Sequence, residues 1–216
     1  MSQDKTLLSK LNQLLKGVEN FVLVTVIETW GSAPKPVGSM LIVTKLGQIF
    51  GSVSGGCVEG SVITEALDIL DTNECKILTF SVSDGDAFQV GLACGGEIKI
   101  LLEPISKKNT IASEKLQSFL AEYFNGNLAI YSINLTTFER QVIKASDEDF
   151  ANIPMEPLNK RTSFKLDDTF FSVLYPRLRL IIIGAVHIAQ YLVNLAEIFE
   201  YQILVIDPRS TFASKA

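Results

Sequence analysis

Glycine is concentrated in one part of this sequence. Eleven of the fourteen glycines lie between Gly31 and Gly96, in less than a third of the chain. A glycine loses more backbone entropy on folding than any other residue, so such a cluster needs a reason. Tight turns between short strands are one reason, and close approach of the backbone to a ligand is the other. The segment must therefore fold into short strands joined by shaped loops, and turns alone account well only for glycines such as Gly47.

Two of these loops combine a glycine pair with a thiol. They are Gly55-Gly56-Cys57 and Cys94-Gly95-Gly96, and this combination favours a binding role over a simple turn. A helix is predicted directly after the first loop from the apolar stripe Val58, Val62, Ala66, Ile69 and Leu70. Free N–H groups and the positive end of that helix would face the loop, which predicts an anion site. The same field would favour the thiolate of Cys57, a nucleophile and soft metal ligand.

Three further side chains bear on this predicted site. Lys35 lies between two prolines in the irregular segment 31–38 and offers a positive charge to a bound anion. Glu59 is either an ordinary first-turn carboxylate that complements the helix dipole or a proton acceptor for a ligand, and physical chemistry favours the first. Cys75 opens a predicted strand and is most simply a small buried hydrophobe.

Hydrophobic periodicity predicts a mixed α+β domain over residues 1–145. A stripe of leucines indicates an amphipathic helix over residues 4–17. The apolar run Phe21–Ile27 is typical of a buried strand. The other predicted elements are strands over 40–44, 48–53, 75–82 and 97–102, a helix capped by Ser113, and a hairpin of 128–134 with 138–144.

Composition excludes several kinds of partner. A net charge of −5 and the absence of any basic run longer than Lys107-Lys108 argue against nucleic acid and against an anionic membrane surface. No uncharged apolar stretch reaches the roughly 20 residues that a membrane span requires. The first residues lack the apolar segment of a signal peptide, so a cytoplasmic location is expected.

Three cysteines without a CxxC pair, and a single histidine, argue against a disulfide framework and a structural zinc site.

The sequence pattern changes in the last third of the chain. An acidic segment with Pro154 and Pro157 predicts a linker with short strands over residues 146–177. Beyond it, a strand over 179–183, a helix and a strand over 202–206 form one βαβ unit. A stable parallel sheet needs more strands, so residues 178–216 are predicted to be an incomplete Rossmann-like domain. The expected fold class is α/β, with an N-terminal mixed α+β domain followed by an incomplete Rossmann-like βαβ unit.

The turn of this βαβ unit lies where a dinucleotide fingerprint belongs. Gly184 follows the strand, His187 lies at the helix start, and Asp207 ends the next strand, where a ribose-binding carboxylate would lie. Val186 replaces the second glycine, and its side chain would obstruct the approach of a pyrophosphate. His187 either orients a bound phosphate or only solvates the helix start. The pattern is strong evidence for the fold and weak evidence for NAD binding.

Four separated motifs together resemble the XdhC/CoxI family, accessory factors for maturation of xanthine dehydrogenase and carbon monoxide dehydrogenase. They occur in the family's order and at similar spacing, and they span almost the whole chain. The matching stretches are Thr29–Pro34 with Gly38 and Met40, Gly55–Gly60, Leu92–Gly96, and Ile183–His187 with Asp207–Arg209. Members commonly carry glycine where this chain has Val186.

The resemblance implies a carrier of the molybdenum cofactor rather than an enzyme with turnover, and it implies no catalytic residues. Members bind and protect this anionic pterin, present it for sulfuration by a cysteine desulfurase, and pass it to a xanthine dehydrogenase-like molybdoenzyme. Cys57 and Cys94 become candidate contacts to molybdenum or its sulfur. The candidate cofactor-binding residues are Gly31, Ser32, Lys35, Gly55, Gly56, Cys57, Glu59, Cys94, Gly95 and Gly96. Gly184, His187 and Asp207 are candidate nucleotide or phosphate contacts.

Two other functions compete with this interpretation. The βαβ unit and Asp207 are typical of an NAD(P)-dependent oxidoreductase, which Val186 argues against. A thiol redox sensor would pair Cys57 with Cys94 on oxidation.

The unfinished parallel sheet also exposes an edge and an apolar face, which predicts a homodimer packed through the C-terminal segment.

Overall fold

A computed structural model describes residues 5–17, 19–81, 96–106 and 110–209 of the chain. The described residues up to 175 form one unit, and residues 176–209 form the other. Among the described residues, no helix combines the length and the apolar character needed to cross a bilayer.

The first helix, α1, spans Lys5–Lys16 and is confirmed as amphipathic. Its five leucines, Leu7, Leu8, Leu11, Leu14 and Leu15, are all buried. They repeat at the spacing that places side chains on one face of a helix. The helix ends where the Gly17 amide donates to the carbonyl of Gln13 at 3.1 Å.

A five-stranded antiparallel sheet forms the centre of the first unit. Its strands are β1 (Phe21–Trp30), β2 (Met40–Thr44), β3 (Ile49–Gly51), β4 (Lys76–Ser81) and β5 (Glu97–Ile105). They lie in the order β3-β2-β1-β5-β4. The first seven residues of β1 are buried, because this strand has a neighbour on each side and packed residues on each face. The predicted strands are confirmed, with β3 shorter and β5 longer than expected.

Each face of this sheet packs against helices. Helix α2 (Glu59–Ile69) covers one face, where Val62 and Ala66 pack with Val22, Val24 and Val26. Helices α1 and α3 (Thr110–Phe124) contribute to the cluster on the opposite face. Ser113 lies inside α3, so it does not cap that helix as predicted. Two separate hydrophobic cores therefore hold the sheet.

A second antiparallel sheet shares the core on the α1 side. Its strands are β6 (Ala129–Asn134), β7 (Arg140–Lys144), β8 (Phe164–Leu166) and β9 (Thr169–Leu174), in the order β7-β6-β9-β8. Tyr131, Phe170 and Leu174 pack in the same cluster as Phe21 and Leu23 of the first sheet. The predicted hairpin of β6 and β7 is confirmed.

The segment expected to be a linker is part of this packing. It contains a 3-10 turn (Glu148–Asn152), the short helix α4 (Met155–Asn159) and strands β8 and β9. Ile153 and Leu158 are buried against Ile130 and Ile143, and β9 pairs with the central strand β6. Residues 146–175 therefore belong to the first unit, since their apolar side chains complete its core.

A buried ionic cluster lies in this core. Arg140 Nε donates to Glu103 Oε1 at 3.1 Å, and the Tyr131 hydroxyl donates to the same oxygen at 2.8 Å. Arg140 Nη2 lies 2.9 Å from the sulfur of Cys75. Burial raises the pKa of Glu103, although the charge of Arg140 opposes it. Burial, aided by the charge of Glu103, raises the pKa of the half-buried Cys75 thiol to about 11, so this cysteine is a structural residue.

The second unit is a βαβ unit, as predicted. Strand β10 (Arg179–Ile183), helix α5 (His187–Ile198) and strand β11 (Gln202–Ile206) follow one another, and the two strands pair in parallel. Only Ala189 and Ala196 of the helix are buried. Most of the large apolar side chains of this unit are exposed, with Ile183 at 83%.

Candidate functional site

The irregular loop after β1 is held closed by backbone hydrogen bonds. The Gly38 amide donates to the carbonyl of Val26 at 2.8 Å, and the Val26 amide donates to the carbonyl of Ser39 at 2.9 Å. Gly31 and Ser32 are exposed on this loop, and Lys35 is half-buried. The loop carries three of the predicted site residues between fixed ends.

Two other glycine positions lie against this loop. A Cβ placed on Gly96 would be 2.6 Å from the carbonyl oxygens of both Trp30 and Ser32, a separation that no side chain tolerates. A Cβ placed on Gly55 would be 3.7 Å from the Cβ of Pro34. The segments that contain Gly31, Gly55 and Gly96 therefore converge.

Glu59 organises the loop that precedes α2. Glu59 is 8% exposed, and its carboxylate accepts hydrogen bonds from five groups between residues 52 and 56. Ser52 Oγ donates at 2.7 Å and the Ser54 amide at 2.9 Å. The Ser54 hydroxyl also donates to this carboxylate. The loop thus wraps around a carboxylate at the first residue of a helix, where the dipole also stabilises a negative charge.

The amides of the first glycine pair are not free, contrary to the expectation from sequence. The Gly56 N–H donates to Glu59 Oε2 at 2.8 Å, and the Gly55 N–H donates to Ser52 Oγ at 2.9 Å. The anion bound at the start of α2 is the chain's own Glu59. This geometry agrees with the favoured interpretation of Glu59 as a first-turn carboxylate.

The hydrogen bonds change the acidity of this group. Burial by itself would raise the pKa of Glu59, but the hydrogen bonds from Ser54 and Ser52 outweigh burial and lower the pKa to about 2. Glu59 is therefore ionised at neutral pH and is a permanent negative charge inside the loop.

The remaining predicted residues of this site differ in accessibility. Cys57 is half-buried, with part of its side chain packed against the α2 core. Gly55 and Gly56 are exposed, and a Cβ placed on Gly56 would meet nothing within 4 Å. Cys94 and Gly95 lie outside the described residues, so the predicted proximity of Cys94 to Cys57 stays a prediction. Within the described ranges, no group of three or more His, Cys, Asp or Glu side chains is arranged to hold a metal.

Sequence reasoning missed Trp30 and the two serines of the Glu59 loop. Trp30 is 73% exposed although it ends a strand whose other apolar residues are buried. Its backbone carbonyl contacts the position of Gly96. In the sequence, Trp30 looks like one more apolar residue of a strand. Its position next to a glycine-rich loop indicates a functional residue only when the burial of the rest of β1 is known.

In the second unit, Asp207 is engaged within the chain. Its carboxylate accepts the Ala185 amide at 2.8 Å, and it accepts the Arg209 amide and guanidinium at 2.8–3.0 Å. Hydrogen bonds from Arg209 and the Ala185 amide hold the pKa of Asp207 well below its usual range. The side chain of Asp207 is 1% exposed, so it holds the turn after β10 rather than an open ribose site.

Gly184 and His187 flank the same turn. Gly184 has a φ of +108°, which only glycine adopts without strain. The His187 ring is exposed and meets the Tyr191 ring edge-on, with centroids 5.1 Å apart. Val186 precedes α5 as its N-cap residue and is 45% exposed. The turn therefore presents a valine and a histidine to solvent at the helix start.

The loops described above coincide with a known family segment. Residues 14–81 match the sequence model of the XdhC and CoxI family. The resemblance given by the motifs is confirmed over this segment. The segment contains the loop after β1 and the loop around Glu59.

Two curated proteins are similar to this chain. A protein of Bacillus subtilis (strain 168), described as a probable subunit of xanthine dehydrogenase, is 27% identical over 218 residues, which cover 95% of this chain and 65% of that protein. The molybdenum cofactor insertion chaperone PaoD of Escherichia coli (strain K12) is 32% identical over 101 residues, which cover 47% of this chain and 31% of that protein. The chain thus spans less than two thirds of the length of either relative.

One solved structure has the same fold. A crystal structure described as a xanthine dehydrogenase from Bacillus halodurans superposes with a TM-score of 0.72 at 24% identity. The superposition covers 100% of this chain and 65% of that one. It supports the architecture of mixed α and β elements with antiparallel sheets.

Proposed function

We propose that this chain takes part in molybdoenzyme maturation by holding the molybdenum cofactor. In this proposal it presents the cofactor for sulfuration by a cysteine desulfurase and delivers it to a xanthine dehydrogenase-like molybdoenzyme. The family match and the similarity to a molybdenum cofactor insertion chaperone support the general role. The role is that of a carrier, so no residue is assigned to catalysis.

The observation that carries the proposal is the convergence of three segments at one place. Gly55 lies beside Pro34, and Gly96 lies against Trp30 and Ser32. Convergence of this kind gives a rigid surface of small residues, to which a planar ligand can approach closely. The hydrogen-bonded Glu59 loop fixes one wall of this surface before any ligand arrives.

The residues present suit an anionic pterin with a soft metal. Gly56 has open space in front of it, so a ligand meets no side chain there. Cys57 offers sulfur, which is a preferred ligand for thiophilic metals, and Lys35 offers a positive charge. The exposed indole of Trp30 offers a flat apolar surface for a ring system. When bound, the cofactor itself would supply the redox metal and the pterin.

Glu59 limits how a ligand can bind. Its carboxylate already accepts hydrogen bonds from the Gly56 amide and from the Ser52 and Ser54 hydroxyls. A phosphate group would therefore have to compete with Glu59 for these donors. We therefore assign the anionic part of the ligand to Lys35 and the metal to Cys57. Gly55 and Gly56 supply space rather than hydrogen bonds, and Gly96 allows its segment to pack against the loop after β1. Cys94 and Gly95 are proposed to join them.

Cofactor retention tests the proposal directly. The full chain is purified anaerobically from a host that makes the molybdenum cofactor, and bound molybdenum and pterin are quantified. We expect stoichiometric cofactor for the native chain and at least a fivefold loss for Cys57→Ser, because serine oxygen is a poor ligand for a soft metal. Cys75→Ser is the matched control, since its thiol belongs to the core, and it should retain the cofactor.

Two outcomes would contradict this assignment. Absence of pterin from the native chain, with transfer to an apo-molybdoenzyme also undetectable, would remove the carrier role. Equal retention by Cys57→Ser and the native chain would remove Cys57 as a metal contact and leave the carrier role intact.

The oxidoreductase alternative is not favoured by the geometry of the second unit. The Asp207 carboxylate is already bound by Ala185 and Arg209, and Val186 is exposed at the turn where a pyrophosphate would lie. A titration with NAD should therefore show no binding below millimolar concentration.

We also propose that the chain forms a homodimer through residues 176–209. This unit exposes large apolar side chains on its helix and strands: Ile181, Ile183, Ile188, Leu195, Ile198, Phe199, Leu204 and Ile206. Among the described residues, β10 and β11 pair only with each other, so each strand leaves one edge unpaired. A second copy would bury the apolar surface together with one of these edges.

A further inference from the structure

A small cavity lies inside the first unit, between its two sheets. Its volume is about 10 Å³. Most of its wall is hydrocarbon, contributed by residues such as Leu23, Met40 and Phe170. A space of this size holds the centre of one water molecule but nothing larger.

Four polar side chains also line this cavity, two from each sheet. Thr25 and Glu103 come from β1 and β5, and Tyr131 and Ser172 come from β6 and β9. All four residues are at most 3% exposed. Tyr131 and Ser172 are directly paired across their two strands, so the polar groups of the second sheet are neighbours.

Ser172 has an unsatisfied hydroxyl. Its Oγ is buried and forms no hydrogen bond within the part of the chain that the structure describes. Burying a hydroxyl without a partner is energetically unfavourable, so native proteins rarely leave one unpaired. The adjoining Glu103 accepts both of its hydrogen bonds on Oε1, which leaves Oε2 available as an acceptor.

We propose that this cavity binds one internal water molecule, which bridges the Ser172 hydroxyl of the second sheet and the Glu103 carboxylate of the first. A buried water typically makes about three hydrogen bonds to groups that would otherwise be unsatisfied. Here it satisfies Ser172, gives the Glu103 carboxylate a further donor, and has Thr25 within the same cavity. The water joins β9 to β5 across the core and is part of the ionic cluster of Glu103 and Arg140.

The unpaired Ser172 hydroxyl distinguishes this cavity from a packing defect, because the rest of the wall is almost entirely apolar. Empty cavities in proteins are apolar, whereas a buried water satisfies polar groups that would otherwise lack a partner. Glu103 and Ser172 both line this one space, so the water has a carboxylate acceptor and the unpaired hydroxyl as its two partners in this proposal. We therefore expect a residence time long enough to be seen by relaxation methods.

Two measurements test the proposal. A crystal structure at a resolution that defines waters should show one density peak within hydrogen-bond distance of Ser172 Oγ and a Glu103 oxygen. Water ¹⁷O relaxation dispersion should detect this molecule as long-lived. In Ser172→Val the added methyl fills the space and removes the partner, so both the peak and one long-lived water should be lost.

Ser132→Ala provides the matched control. Ser132 is a buried serine of the same sheet on strand β6, and its hydroxyl donates to the carbonyl of Gln141. Its loss should leave the internal water in place. An empty cavity in the native crystal structure would overturn the proposal even if Ser172→Val did not fold, as would an unchanged relaxation signal in a folded Ser172→Val.

Discussion

Glu59 shows how one side chain can decide the shape of a loop. It is the first residue of α2, and its carboxylate gathers donors from Ser52 to Gly56. Without this negative charge, the Gly56 amide and the serine hydroxyls would be left to find other acceptors. We therefore attribute the order of this loop to Glu59 more than to the glycines.

The first prediction concerns the pH dependence that Glu59 imposes. Its pKa is about 2 in the folded chain against an ordinary 4.5, so ionised Glu59 favours folding above about pH 4.5. This contribution is lost as the pH falls from about 4.5 towards 2. It amounts to on the order of 3 kcal/mol. Glu59→Gln should be less stable by that amount at pH 7, and the difference should shrink at pH 3.

Urea unfolding at both pH values measures this effect. Glu74→Gln is the control, since Glu74 is an exposed carboxylate and its loss should leave the stability unchanged at either pH. A Glu59→Gln variant as stable as the native chain at pH 7 would show that the carboxylate does not organise the loop.

The second prediction concerns Gly96. A methyl group there would lie 2.6 Å from two backbone carbonyl oxygens, which cannot move as a flexible side chain can. Gly96→Ala should destabilise the first unit by more than about 2 kcal/mol and should lower cofactor retention. Gly60→Ala is the matched control, because nothing lies within 4 Å of its Cβ position in α2.

Thermal unfolding distinguishes the two glycine variants. Gly60→Ala should be neutral or stabilising by up to about 1 kcal/mol, since alanine favours a helix over glycine. Equal melting temperatures for the two variants would mean that the contact between Gly96 and the loop after β1 is not tight.

At the scale of elements, the pair of Glu103 and Arg140 links strand β5 to strand β7. Both side chains are at most 9% exposed, so neither charge is well solvated. Removing one partner of a buried pair leaves an uncompensated charge and typically costs about 3–5 kcal/mol. The third prediction is therefore a loss of about this size for Arg140→Met.

A second substitution separates charge from packing. Glu103→Gln in the Arg140→Met background keeps an acceptor for the Tyr131 hydroxyl and removes the unpaired charge, so chemical denaturation should show most of the loss recovered. Lys160→Met breaks the exposed pair with Glu156 and should cost at most about 0.5 kcal/mol. If Arg140→Met were equally mild, the buried pair would not stabilise the sheets.

Elements with strong periodicity could be predicted from the sequence. The leucines of α1, the apolar run of β1 and the βαβ unit each carry a local pattern that requires no knowledge of the rest of the chain. The packing of residues 146–175 could not be predicted from the sequence. Their prolines and acidic residues indicate a loop, whereas the burial of Ile153 and Leu158 depends on distant strands. In the same way, the sequence located the glycine loops, but the use of their amides by Glu59 depends on the loop conformation.

At the scale of the whole molecule, the fourth prediction addresses the proposed dimer. Ile198 ends α5 and is 75% exposed, so a charge there would be unfavourable in an apolar contact between copies. Light scattering should give the mass of two chains for the native protein and of one chain for Ile198→Glu. Leu46→Glu, at an exposed leucine of the first unit, should leave the dimer intact. A native monomer would refute the prediction.

The enclosure of Glu59 has a consequence for ionic strength. Dissolved ions screen charges that face solvent, such as the pairs of Glu28 with Lys99 and Lys165 at the surface. Dissolved ions screen the interaction between the enclosed Glu59 carboxylate and its five donors far less. High concentrations of sodium chloride should therefore loosen the outer pairs while the loop before α2 keeps its conformation, so that a ligand would meet the same binding surface in salt-rich and in dilute solution.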